Sequence, residues 1–60
     1  MQVNICMPSS EDKETYHINP YLIVSVHEYN GRYLLKTVDG DTNNIDRESY
    51  DRIVAWMERQ

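Results

Sequence analysis

The side chains able to do chemistry in this chain are few and scattered: His17, His27, Cys6 and the serines Ser9, Ser10, Ser25 and Ser49. A general base needs a nucleophile or an orienting acid within hydrogen-bond reach, and no local motif such as G-x-S-x-G brings these groups together. Both histidines fall on strand positions with no sequence-evident partner and read as surface or packing groups. His17, His27 and Cys6 also lack the close paired spacing of a structural zinc site. The run Asp39-Gly40-Asp41-Thr42-Asn43-Asn44-Ile45-Asp46 opens like a calcium loop, with oxygen ligands at alternate positions. Its sixth and twelfth places hold Asn44 and Tyr50, where such a loop requires glycine and a bidentate glutamate, so the run reads as a polar turn ending in a helix cap. The two glycines, Gly31 and Gly40, both belong to turns, which leaves nothing to build a phosphate-binding loop. The expectation is therefore a protein that is not an enzyme, with no cofactor, no metal and no evident small-molecule substrate.

Recognition is the remaining class of work, and Trp56 is the residue best suited to it. Tryptophan is enriched at the energetic centres of interfaces, and Trp56, with Tyr21 and Tyr29, is a large amphipathic group that the expected core does not need. Ten acidic residues against six basic give a formal charge of −4, which disfavours long-range attraction to nucleic acid or anionic lipid. No run approaches the roughly 20 apolar residues of a membrane span, and no charged segment precedes an apolar one as in a signal peptide. With a single thiol the chain reads as cytoplasmic.

The elements that must position these groups follow from periodicity. A chain of 60 residues is one domain at most, spanning residues 1–60. Gln2 to Met7 alternates Val3, Ile5 and Met7 against Gln2, Asn4 and Cys6, the period of a half-buried strand. Pro8 to Glu14 is a polar run and reads as a loop, after which a short strand places Tyr16 and Ile18 on one face before Asn19-Pro20 turns the chain. Leu22 to Tyr29 and Arg32 to Val38 are β-rich runs separated by Asn30-Gly31, the preferred pair of a two-residue type I′ hairpin. That loop sets Tyr29 opposite Arg32, Val26 opposite Leu35 and Val24 opposite Thr37, so Leu22, Val24, Val26, Tyr33 and Leu35 are expected on the core face. At the next turn, a three-residue loop Asp39-Gly40-Asp41 with Gly40 left-handed sets Ile45 opposite Leu35, inside, whereas a two-residue loop would turn Ile45 outward. Tyr50, Ile53, Val54 and Met57 then mark one stripe of a helix capped by Asp46, with Trp56 about 60° from Ile53 at the border of that stripe. The fold class is α+β: a small antiparallel β-meander of about five strands with one C-terminal amphipathic α-helix.

The outer face of the hairpin carries Ile23, Ser25, His27, Tyr29, Arg32, Leu34, Lys36 and Val38, more apolar than a solvated face requires. Either a flanking segment such as the first strand packs there, or a partner does.

Three family resemblances accompany this pattern. From Tyr16 to Met57 the chain resembles the small flagellum-associated FlbD/SwrD proteins of bacteria, through Ile18-Asn19-Pro20-Tyr21-Leu22-Ile23, Val38-Asp39-Gly40, and Ile45 followed by Glu48-Ser49 and Ile53. Similar strand-turn-strand patterns occur in LytTR-type DNA-binding domains. The segment Arg47-Glu48-Ser49-Tyr50-Asp51-Arg52-Ile53 is similar to that at the C-terminal helix of the carbon storage regulator CsrA, and this implies an RNA-contacting role for Arg47. The loop Pro8 to Glu14 departs from all three, and Cys6 stands where CsrA-like proteins carry a basic residue.

The leading expectation is a small regulatory or adaptor protein of bacterial or phage type, such as a phage or mobile-element inhibitor. It would act by protein binding through Ile23, His27, Tyr29, Leu34 and Trp56, its partner being another protein or a second copy in a homodimer. The alternative is a nucleic-acid-binding regulator using Arg32, Lys36 and Arg47, with Tyr29 as a stacking platform.

Overall fold

The computed structural model describes residues 1–7 and 12–60. Five antiparallel strands, β1 (Gln2–Cys6), β2 (Lys13–His17), β3 (Ile23–Tyr29), β4 (Arg32–Thr37) and β5 (Thr42–Ile45), form one sheet, and a helix α1 (Arg47–Glu58) packs on it. The α+β class and the C-terminal helix are as the periodicity predicts. The strand order is β2-β1-β5-β4-β3, so β3, β4 and β5 form a meander and the β1–β2 hairpin joins it through β1 and β5.

Asn30 and Gly31 both take positive φ, 51° and 77°, as a type I′ turn demands, and they hold Tyr29 opposite Arg32 and Val26 opposite Leu35. Beyond Ser25, which still faces Lys36, the expected register fails. Pro20–Leu22 forms a 3-10 turn, with the Tyr21 amide donating to the Asn19 side chain, and so removes Leu22 from the strand. A bulge between Ile23 and Ser25 then places Ile23, not Val24, opposite Thr37. The extra residue reverses the facing of the strand end: Ile23 is buried at 8 % exposure while Val24 is 54 % exposed and Leu22 45 %. Burying isoleucine instead of valine removes one more methylene from water, worth about 0.8 kcal/mol. Ile23 is therefore core and not outer face, which corrects its assignment to a binding surface.

The second turn has the expected loop length and the expected left-handed Gly40, with φ 91°. It starts one residue earlier than expected: the Thr37 amide donates to the Asp41 carbonyl, leaving Val38, Asp39 and Gly40 as the loop. Ile45 accordingly lies opposite Tyr33, and Asn43 opposite Leu35. A shift of both strand ends by one residue preserves the facing, so Ile45 is buried as required.

β1 has its predicted alternation, with Val3 buried, but lies beside β5 within the sheet and does not cover the outer face of the hairpin. β2 begins at Lys13, inside the segment expected to be loop, because pairing with β1 (Cys6 with Lys13, Ile5 with Glu14) satisfies its backbone. A short edge strand tolerates these charged side chains. In the rest of that expected loop, the Asp12 carbonyl accepts from the Met7 amide at 3.0 Å, and residues 8–11 lie outside the described residues.

β1 and β5 share a single facing pair, Ile5 with Ile45. Past it, the first turn of α1 takes over as the partner of β1. The Asp46 amide donates to the Asn4 carbonyl at 3.2 Å and the Asn4 amide donates to Ser49 Oγ at 2.7 Å. Asp46 is the helix cap, accepting from the Ser49 amide at 2.8 Å, and it also accepts from Asn4 Nδ2 at 3.0 Å. The stripe of α1 turns inward: Ile53 is fully buried among Val3, Ile23, Leu35 and Ile45, with Tyr50 and Met57 packed beside them.

Candidate functional site

The register assigns every strand side chain to one of two faces, because directly paired residues share a side. The face that carries the core also holds Ile5, Glu14, Tyr16, Glu28, Thr37 and Asn43. The helix covers only part of it. The uncovered part is an open cleft of about 490 Å³ between the β1–β2 hairpin and the start of the meander. Its apolar lining is Ile5, Tyr16, Ile18, Leu22 and Val38; its polar lining is Thr37, Asp39, Asp41 and Asn43. Tyr16, Leu22 and Val38 are 47 %, 45 % and 62 % exposed, so these apolar side chains converge without burying one another. The groove exceeds the roughly 300 Å³ below which ligand sites are uncommon.

Local structure fixes the polar edge of the cleft. Asp39 Oδ1 accepts from the Thr37 hydroxyl and from the Asp41 amide, the bonds of an Asx turn, and these hold its carboxyl below the usual range. Across the cleft, Tyr16 Oη donates to Glu14 Oε2 at 2.6 Å, which raises the phenol's pKa. Asp46 lies outside the cleft, its side chain 11 % exposed. Burial would raise its pKa, but hydrogen bonds from Ser49 and Asn4, with the charge of Lys13 at 3.6 Å, bring it down to about 2.

The five residues expected to bind protein do not form one site. His27 and Leu34 face each other on the outer side of the sheet, and Tyr29 pairs with Arg32 on that same side. Ile23 is in the core, and Trp56 stands on the helix on the other side, its ring edge-on to Tyr21 with centroids 5.3 Å apart. Leu34 is only half-buried, and with Ile23 turned inward and Val38 in a loop the outer face is polar, not apolar. Among the three residues of the nucleic-acid alternative, Arg32 and Lys36 share this outer face. Arg47 does not; it begins α1 and pairs with Asp51 at 3.8 Å.

The outer strand positions of the described residues carry Lys13, Arg32, Lys36, His17 and His27 and no carboxylate, whereas Glu14 and Glu28 point to the core side. His17 and His27 lie on opposite edge strands, about 19 Å apart at ordinary strand spacing. Ser49, a candidate nucleophile by residue type, is fully buried and its hydroxyl is committed to the Asn4 amide. The described residues contain no group of three or more histidine, cysteine, aspartate or glutamate side chains arranged to hold a metal. No helix among them is long and apolar enough to cross a membrane.

Sequence reasoning missed the cleft, since Ile5, Ile18, Leu22 and Val38 come from four segments whose meeting depends on the β1–β5 junction and the Val24 bulge. The one local signal was the apolar Leu22 two residues after Asn19-Pro20, where a capped 3-10 turn exposes it. No family model, curated protein or solved structure matches the chain. The resemblances to FlbD/SwrD, LytTR and CsrA stand on the quoted residues alone.

Proposed function

We propose that this chain is a small non-enzymatic adaptor or regulatory protein that works by binding another protein through the cleft beside its helix. The observation that carries this reading is the convergence of Ile5, Tyr16, Ile18, Leu22 and Val38 on one open groove, on the same sheet face as the core yet left uncovered by α1. Apolar side chains held exposed in a concave site gain free energy only when a partner removes them from water. Tyr21 and Trp56, in edge-to-face contact where α1 approaches the start of β3, extend the amphipathic surface. The lone Cys6 suits a reducing, cytoplasmic setting, and regulation of a host or phage protein suits the size.

Affinity capture with the intact chain, compared with Leu22→Asp and Val38→Asp variants shown to be folded by circular dichroism, tests the reading. Partners retained by the intact chain and lost by both variants support it; the same partners on all three chains refute it.

A second reading, nucleic-acid binding, is favoured by Tyr29, Arg32 and Lys36 together on the outer strand positions, which among the described residues carry no carboxylate, although Asp46 borders them beside Lys13. It predicts retardation of a single-stranded oligonucleotide pool at low salt, abolished by Arg32→Glu and Lys36→Glu together. No retardation with folded protein at high concentration removes it.

A further inference from the structure

We infer that the cleft takes a short segment of a partner protein in which one or two large apolar side chains are flanked by lysine or arginine. This rests on the protein-binding reading and adds to it the chemistry of the partner. The floor of the groove selects the apolar part: Ile5, Ile18, Leu22 and Val38 present aliphatic surface, and a groove of about 490 Å³ suits individual side chains of an extended segment better than a folded face.

The rim selects the charge. Each charged side chain lining the cleft among the described residues is a carboxylate, Asp39 and Asp41, and Glu14 stands beside the Tyr16 hydroxyl on the far wall. Asp39 is held in place through one oxygen by the Thr37 hydroxyl and the Asp41 amide, so its charge is pre-positioned. Among the described residues neither Asp39 nor Asp41 is in an ion pair, and the Met1 ammonium, which approaches the cleft at Ile18, donates to the Ile18 carbonyl at 2.9 Å. Arg32 and Lys36 are on the opposite face of the sheet, and the ammonium of Lys13 sits 3.6 Å from Asp46. An acidic segment or a nucleic acid entering the groove would meet like charge, whereas a basic one gains from it.

A second copy of this chain is a poorer occupant. On its strands Arg32 and Lys36 flank Leu34, which is half-buried and does not project as an anchor, and on its helix Arg59 follows Trp56 and Met57, whose side chains are partly buried against their own sheet and helix.

The test uses the full chain, labelled with nitrogen-15, and two twelve-residue peptides with the same Leu-Trp-Leu centre, one flanked by lysines and one by glutamates. The expected result is amide shifts at Ile18, Leu22, Val38, Asp39 and Asp41 with the lysine peptide, and binding of the glutamate peptide weaker by about tenfold or more at low salt. Asp39→Asn with Asp41→Asn, which keeps the side-chain acceptor of the turn, should remove most of that difference while leaving binding through the apolar floor. Sedimentation of the chain alone is expected to give a monomer.

Equal binding of both peptides in the cleft would overturn the charge selection and leave the protein-binding reading intact. Shifts confined to Tyr29, Arg32 and Lys36, or no shifts with either peptide at millimolar concentration, would overturn the inference outright. Self-association that perturbs Leu22 and Val38 would assign the groove to a second copy instead. The protein-binding reading fails separately, on capture that ignores Leu22→Asp and Val38→Asp.

Discussion

Two halves of the same sheet face behave differently in this molecule. Under α1, Val3, Leu35 and Ile45 meet Ile53 and are almost wholly removed from water. Beside it, Tyr16, Leu22 and Val38 reach the same face and remain about half exposed or more. The residue types are alike; what differs is cover. A twelve-residue helix is about 18 Å long and covers only part of a five-stranded sheet, so half of the face stabilises the fold and half is left for something else. The difference between them is a difference in what a substitution should disturb.

The largest effect is expected from Leu35→Ala or Ile53→Ala, each losing about 2–5 kcal/mol through the cavity it leaves. In a domain whose core contributes only about 3–5 kcal/mol, either variant should be largely unfolded by circular dichroism at room temperature. A folded Leu35→Ala protein would erase the contrast between the two halves.

Next is the acid limb. Asp46 has a folded pKa of about 2 against an ordinary 3.8, so its contribution is full above the unfolded value and is lost as pH falls from about 4 to 2. A shift of that size is on the order of 2 kcal/mol. Denaturant midpoints of the intact chain should fall steeply across that window, and Asp46→Asn should flatten the fall while lowering stability near neutrality. An unchanged slope in Asp46→Asn would place the acid sensitivity elsewhere.

Ser49→Ala leaves the Asn4 amide without its acceptor at a buried junction and should cost about 1–3 kcal/mol by chemical denaturation. A loss well under that range would mean that β1 is held by its pairing with β2, by Asp46 and by the burial of Val3, and not by the Ser49 hydroxyl.

The smallest change in stability belongs to the cleft. Val38→Ser, at a position 62 % exposed in a loop, should stay within about 0.5 kcal/mol of the parent, and yet partner capture should fall severalfold. Loss of stability comparable to Leu35→Ala would show that the cleft is core after all.

Much of the meander was legible because its signals are local. Asn30-Gly31 specifies a turn type, the turn specifies the register, and the register puts Val26 beside Leu35. Gly40 and the stripe Tyr50, Ile53, Val54 and Met57 are equally local, as is Asp46 as a cap. The candidate site was less legible. Of Ile23, His27, Tyr29, Leu34 and Trp56, three share a face, Trp56 lies across the molecule on the helix, and Ile23 is core because alternation counted from the hairpin assumed an unbroken strand. The bulge at Val24 and the 3-10 turn at Pro20–Leu22 break it.

By itself, then, the amino-acid order determined the turns, the strand and helix segments and the inward faces near each turn, since these depend on backbone preferences and periods within a few residues. Only the tertiary structure decided that Ile23 rather than Val24 enters the core, that β1 sits against β5 and is latched by Asn4 to Ser49, and that a cleft opens beside the helix. Each of these weighs burial in one segment against pairing in another distant in the chain, a competition that local spacing does not record.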